Sequence, residues 1–355
     1  MGSAVSSRVA IVVLNRNGSR WLPKCLSSVT RTAGPNVDVC LVDNASADGS
    51  VTYVREHFPT VKIIVHSTNL GFAAGYNRAL EGVKADYVVL LNNDTEVLAP
   101  NWVQSLVKIA AADARVAAVA CKMVSMEHAD LLDSVGGMGI PYWRGFVDIG
   151  REERDEGQYD VTSFEPFSFC GGAALIKRAV FDQAGGFDEK FFMYSEDVDL
   201  SWRFRLSGYR VAFAPEAKVA HFFSGSTGAK SVDARKLYLC HRNLLRAILK
   251  NCGSSLGWAL RNYFLFSLID AVGFSILEPK KAIAIAKAIF WNLLNLRDTY
   301  SRRSAIRTNR KANEKVVLTS MYPKVRRYQP AEHTTLRRIL DTFFEHSQSI
   351  PDRLN

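Results

Sequence analysis

Short apolar runs recur along the first half of the chain, and each one stops abruptly at polar or glycine residues. Val9–Leu14, Val37–Val42, Val61–Val65 and Tyr87–Leu91 are nearly continuous in Val, Ile, Leu and Ala, as expected of strands buried on both faces. Between them, apolar residues fall at helical spacing: Trp21, Leu22, Cys25, Leu26 and Val29, then Val51, Val54 and Phe58. A further helix, from Asn77 to Lys84, is expected to deliver the fourth run. Strands alternating with helices at this spacing predict an α/β fold with a mostly parallel sheet and helices on both faces. Beyond it, Trp102–Ala112 reads as a helix and Val116–Val124 as a strand. Residues 126–165 show no clear period and read as a loop-rich insertion over the site, with the charged run Arg151–Glu156 solvated. Phe167–Ile176 reads as a strand after a glycine bend, and Glu196 opens another helix.

The strand ends carry the candidate chemistry. They place Asn15 and Asn17, Asp43, Asn69, Gly71 and Gly75, and Asp94 of Asn92-Asn93-Asp94 along one edge of the sheet. Ligands of open α/β sheets sit beyond the carboxyl ends of the strands. Each group alone is also good turn or helix-cap chemistry, but its repetition at every strand end points to a ligand. Asp43 can accept hydrogen bonds from a base or ribose, and Asp94 lies where a metal-diphosphate would be met. Neither a Walker lysine motif nor GxGxxG is present, which disfavours P-loop and simple dinucleotide readings. A second centre is Glu196-Asp197-Val198-Asp199, three carboxylates within four residues. Such a cluster repels itself unless a cation or substrate needs it, although a helix N-terminus also welcomes acids. Trp202 and Arg203 follow at helical spacing, either lining a path to this centre or simply packing.

Charge divides the chain. Of 355 residues 48% are hydrophobic and the net charge is +10, yet from Lys230 onward there are 23 Lys/Arg against 9 Asp/Glu, and before it 22 against 26. The basic part begins with a helix, Arg235–Lys250. Leu256–Leu277 is long and apolar but interrupted by Arg261, Asn262 and Asp270, which favours an interfacial or packed helix over a membrane span. Lys280–Leu296 then alternates lysines with Ile, Ala, Phe and Trp, and Arg297 to Lys311 adds more cations. Basic amphipathic helices with aromatic anchors lie on anionic membranes. A packed helical subdomain or a homo-oligomer contact with a solvated basic face is the alternative. No nucleic-acid reading motif accompanies the charge. Residues 325–355 carry no readable pattern. The six scattered cysteines read as reduced, buried thiols. Val9–Leu14 is too short for a signal peptide, and Met1–Ser6 fits the myristoylation pattern only as such short patterns do by chance.

The segments VDNASADGS, NLGFAAGYN, LLNND, FCGGAALIKR and GGFDEKFFMYSEDVDLSWR, followed by His221, occur in this order. In this the chain resembles the family 2 glycosyltransferases of GT-A fold. NLGFAAGYN and SEDVDLSWR are most similar to the rhamnosyltransferase-type branch. The resemblance implies a Rossmann-like catalytic domain over 1–230 and a helical basic region over 231–355. It implies an inverting transfer from a nucleotide-diphosphate sugar, best dTDP-L-rhamnose, to a saccharide or polyprenyl-linked acceptor in cell-envelope synthesis. The enzyme would be peripheral on the cytoplasmic face of the membrane. By the same resemblance Asn15, Asn17, Asp43, Asn69, Gly71, Asn77, Asn92 and Asn93 would meet the donor nucleotide. Asp94 and His221 would hold Mn²⁺ or Mg²⁺, and Asp197, paired with Glu196, would be the general base. Gly172, Ala173, Trp202 and Arg203 would line the acceptor. The chain departs at Asn92, where the family's DxD motif has its first carboxylate, so Asp94 carries that motif's ligation. A UDP-hexose or UDP-N-acetylhexosamine donor, a nucleotidyltransferase, and a non-catalytic nucleotide-sugar scaffold remain the alternatives.

Overall fold

A computed structural model describes residues 7–222 and 233–322; the pattern at Met1–Ser6 and the stretch 325–355 lie outside them. The front half builds β1 (Val9–Asn15), α1 (Leu22–Thr32), β2 (Val37–Asp43), α2 (Ser50–His57), β3 (Lys62–Val65), α3 (Gly71–Leu80), β4 (Tyr87–Asn92), β5 (Thr95–Val97) and α4 (Trp102–Ala112). Then come β6 (Val116–Ser125), β7 (Leu132–Ser134), β8 (Gly137–Ile140), β9 (Gly145–Asp148), β10 (Ala173–Lys177), α5 (Arg178–Gln183), α6 (Glu196–Leu206) and β11 (Arg210–His221). The tail is helical: α7 (Ala234–Asn251), α8 (Leu256–Leu277), α9 (Pro279–Leu294), α10 (Leu296–Thr308) and α11 (Glu314–Ser320).

The main sheet runs β3-β2-β1-β4-β10-β6-β11-β5, with β7 beside β6. Strands β3 through β4 are parallel, β10 runs antiparallel between β4 and β6, and β11 lies parallel to β6. Its central strands β1, β4 and β10 are apolar in their interiors because both faces are covered. Alternate side chains point to opposite faces. Val12, Val42 and Leu90 pack with Tyr76 and Leu80 of α3, whereas Ile11, Leu41 and Leu91 pack with Leu26 of α1 and Trp102 of α4. Register pairs Asn15 with Asp43 and Leu14 with Asn92, so three strand ends reach one edge together.

Several details depart from expectation. Helix α3 starts at Gly71, not at Asn77, so the glycine-rich stretch is helical. Gly71 enters it at φ 75°, and a Cβ there would lie 2.4 Å from the Phe192 carbonyl oxygen, which accepts the Phe72 N–H at 2.5 Å. Gly75 lets the helix approach β1, since its Cβ would sit 3.2 Å from Leu14 Cδ1. The insertion 126–165 contributes β7 and the β8–β9 hairpin, and its Arg151 is not solvated but paired with Asp133 and Asp148. Strand β5 was not expected; it leaves Asp94 directly and pairs Thr95 with His221 of β11. All six cysteines are free.

The basic helix α7 forms as expected, but Arg242, Arg246 and Lys250 face inward. Leu244 and Ile248 of α7 share an apolar cluster with Phe191 and Trp202, joining the tail to the sheet domain. Arg246 Nε donates to Asp188 at 2.8 Å and Lys250 Nζ to Asp188 at 2.6 Å. Lys250 Nζ lies 2.9 Å from Asp199, which also takes the Arg203 guanidinium at 3.0 Å. These cations face inward because two buried carboxylates need them. Arg246→Ala should therefore lower stability by about 3 kcal/mol in urea unfolding, since it strands buried charge; a loss no larger than that of an exposed arginine would contradict the assignment.

Candidate active site

The strand ends are tied by side-chain hydrogen bonds. Asn15 Nδ2 donates to Asp43 Oδ1 at 2.9 Å, Asn93 Nδ2 donates to Asn15 Oδ1 at 2.7 Å, and the Ser46 N–H donates to Asp43 Oδ2 at 2.9 Å. Gly18 is required beside them: a Cβ there would fall 1.9 Å from Asn93 Nδ2. Asn17, at φ 49°, accepts the Ala47 N–H at 2.9 Å and gives its own N–H to Ser46 at 2.8 Å, joining the loops after β1 and β2. Asn44, which the sequence did not single out, joins the β2 loop to α3. Its Oδ1 accepts the Leu70 N–H at 2.9 Å, and its Nδ2 donates to Asn69 at 3.1 Å. Asn77 does not reach this edge. Its amide brackets Phe187, accepting the N–H and donating to the carbonyl, each at 2.9 Å.

Asp94 and His221 are brought side by side by the β5–β11 pairing, with Nε2 3.4 Å from Asp94 Oδ1. On its other side Nδ1 meets Asp133 Oδ2 at 2.7 Å. Burial pushes the His221 imidazole down, but the bonds to Asp133 and Asp94 outweigh it and raise it to about 10. A positive charge is therefore stabilised between these carboxylates, which is what a divalent cation at the same place would need. Among the described residues no group of three or more metal-ligating side chains exists. Asp94 and His221 are the pair that could hold a cation, and donor oxygens and water would have to complete its shell. A carboxylate behind a ligating histidine fixes its tautomer and orientation, and Asp133 occupies that position.

Asp197 sits in the first turn of α6, where its Oδ2 accepts the Gly171 N–H at 2.8 Å. The next residue, Gly172, accepts the Asn92 N–H through its carbonyl at 2.9 Å, which connects Asp197 to the Asn92–Asp94 strand end. Burial foremost, opposed by the Gly171 N–H and reinforced by the Asp148 charge, pushes the Asp197 carboxyl up to about 6. Glu196 is raised well above the usual range by burial and by Asp197, and its Oε2 meets no hydrogen-bond partner. The loop into α6 holds Phe192, Tyr194 and Ser195 at positive φ, conformations that cost of order 1–3 kcal/mol each. Tail residues hold it: Arg242 donates to the Phe191 carbonyl at 2.6 Å, and Asn243 to those of Met193 and Tyr194 at 2.9 and 2.7 Å.

The remaining acceptor candidates divide. Gly172 adjoins the site, and a Cβ there would lie 2.8 Å from Met123. Ala173 is buried inside the sheet opposite Leu91. Trp202 is buried, stacked on Trp143 with centroids 5.5 Å apart. The Arg203 guanidinium is consumed by Asp199 and the carbonyls of Ala184 and Gly186. For Ala173, Trp202 and Arg203 the packing role holds, because the apolar cluster and the Asp199 charge claim them. Sequence reasoning missed Asp133, Asp148 and Arg151, for which an aperiodic insertion gives no signal. Arg151 lies 2.5 Å from Asp148 and 3.6 Å from Asp133.

A curled, mostly parallel sheet with carboxylates and amides gathered at the strand ends is the architecture of the GT-A glycosyltransferases. Solved structures of that kind are similar. The mannosyltransferase PcManGT from Pyrobaculum calidifontis, solved with GDP-Man and Mn²⁺, matches with TM-score 0.51 at 18% identity over 86% of both chains. S. aureus TarS in complex with UDP-GlcNAc matches with TM-score 0.55 at 15% identity, over 88% of this chain and 91% of that one. Residues 9–185 match the model of glycosyl transferase family 2, and the chain belongs to that family. It is an enzyme of glycosyl transfer. Over 243 residues it is 28% identical to the N-acetylglucosaminyl-diphospho-decaprenol L-rhamnosyltransferase of Mycobacterium tuberculosis, covering 61% of this chain and 77% of that relative.

Proposed function

We propose that this chain transfers L-rhamnose from dTDP-L-rhamnose, with inversion, to a hydroxyl of a polyprenyl-linked saccharide, at the cytoplasmic face of the membrane during cell-envelope synthesis. The rhamnosyl donor and lipid-linked acceptor are supported by the mycobacterial relative. A UDP-hexose or UDP-N-acetylhexosamine donor is the second reading, favoured by the likeness to TarS. The observation that carries the chemistry is the half-buried Asp197 carboxylate, held by the Gly171 and Val198 N–H groups and linked through Gly172 to the Asn92–Asp94 strand end.

In this mechanism Asp43 receives hydrogen bonds from the base or ribose, on a carboxylate already aligned by Asn15. Asp94 and His221 hold Mn²⁺ or Mg²⁺, which when bound supplies positive charge to the departing nucleoside diphosphate. The acceptor oxygen bonds to the anomeric carbon as the bond from that carbon to the diphosphate oxygen breaks. Asp197 takes the hydroxyl proton. A single displacement of this kind inverts the anomeric centre and needs no glycosyl-enzyme.

General-base removal costs about 10²–10⁴ in rate. Asp197→Asn should therefore lower kcat by that order while leaving donor affinity, read by calorimetry, unchanged. Because Asp197 must be ionised to act, wild-type kcat/KM should fall about tenfold per pH unit below about 6; a flat acid limb would contradict the assignment. Asp133→Asn should weaken Mn²⁺ binding in the presence of nucleotide by about 10–100-fold, measured by calorimetry, because the His221 ring loses its anionic support. Unchanged metal affinity would remove Asp133 from the site.

A further inference from the structure

Helices α8 and α9 pack on one another as a hairpin turned at Glu278. One side of α8 is engaged. Tyr263 Oη bonds the His241 carbonyl at 3.2 Å, Ser267 Oγ lies 3.3 Å from His241 Nδ1, and Asn262 is buried. The other side is uncovered and apolar. Leu265, Leu268, Val272 and Ile276 fall at helical steps on it, with Leu268 and Val272 each 62% exposed and Ile276 85% exposed. Among the described residues, 11 of the 16 exposed large hydrophobics lie on these two helices. Soluble monomers seldom leave so contiguous an apolar surface without a partner.

The outward stripe of α9 identifies the partner. Lys280, Ile283, Lys287, Phe290 and Leu294 succeed one another at spacings of three and four, and all are exposed. Cations and large apolar groups thus alternate along one line, and α9 contains no acidic residue. A helix of this pattern suits an interface that is apolar below and anionic above. A second copy of this chain suits it less, because the region from Lys230 onward carries 23 Lys/Arg against 9 Asp/Glu, and pairing two such regions sets like charge against like. Nor does α8 read as a membrane span, although its length and composition allow one. One side of it, through Ala259, Asn262, Tyr263, Phe266 and Ser267, is buried against the protein.

We propose that the outward face of the α8–α9 hairpin docks on an anionic lipid bilayer, with its aliphatic side chains in the acyl boundary and Lys280 and Lys287 among the headgroups. This names the membrane partner of the transferase reading above and rests on it only for the lipid-linked acceptor. The test needs neither donor nor acceptor, so failure of docking and failure of the transferase reading are separable.

The test is co-sedimentation of the full chain with phosphatidylcholine vesicles, with and without phosphatidylglycerol, alongside light scattering of the protein alone. The chain is expected to pellet with phosphatidylglycerol-containing vesicles, and less so in plain phosphatidylcholine or high salt. The double variant L268E/V272E, placed at exposed positions so that folding is spared, should lose about tenfold or more of this binding. K280E/K287E should lose the preference for phosphatidylglycerol. Wild type that stays in the supernatant with both vesicles overturns the proposal. So does a wild-type dimer that L268E/V272E converts to monomer without any vesicle binding, which would assign the face to a second copy.

Discussion

Helix α6 carries the candidate base in its first turn, and a buried charge network fixes that helix. Asp199, inside α6, meets Lys250 and Arg203, while Asp188, just before the loop into α6, meets Lys250 and Arg246. Burial works to raise the Asp188 carboxyl, but Lys250 and Arg246 overcome it and hold it well below the usual carboxylate range. Breaking one partner of such a set is far more costly than the set's net contribution, because the remaining charge stays buried. The network therefore fixes α6 against α7. Through Arg242 and Asn243 it also holds the left-handed residues that aim Asp197. The tail is a structural part of the site, and the exposed apolar α8–α9 hairpin is built on the same helix α7.

The acidic groups around the strand ends differ in what balances them, and this sorts their roles. Asp43 is met by neutral donors, the Asn15 amide and the Ser46 N–H. Asp133 is set against His221 and Arg151, whose charges bring it below its usual value despite burial. Asp148 also has Arg151. Asp197 has backbone N–H groups alone, with the negative Asp148 acting on it. Burial holds the Asp197 carboxyl above the usual carboxylate range, which suits it to accept a proton near neutrality.

The parallel strands and their polar ends were readable because burial on both faces leaves continuous apolar runs, and because Asn15, Asp43 and Asn92 each follow one directly. Family resemblance supplied the pairing of Asp94 with His221, which a separation of 127 positions hides from any local pattern. The start of α3 was misplaced because glycines suggest a loop, whereas here they admit the Phe192 carbonyl and the flank of β1. Arg242, Arg246 and Lys250 look like a solvated basic face in sequence, since the partners that hold them, the Lys190 and Phe191 carbonyls for Arg242 and Asp188 for Arg246 and Lys250, lie some 50 or more positions earlier. Asp133 and Arg151 sit in a segment with no period, where only tertiary contact gives a side chain its meaning.

The most direct test of the central claim, that this sheet edge binds a nucleotide-diphosphate sugar, is a thermal-shift series. It would use dTDP, UDP and GDP with their sugars, with and without Mn²⁺, on wild type and Asp94→Ala. A ligand at 100 times its dissociation constant adds about 2.7 kcal/mol, enough to resolve. The expected result is stabilisation by one nucleotide class, strengthened by metal in wild type and with that metal effect lost in Asp94→Ala. Stabilisation by none of them would contradict a donor site at these strand ends.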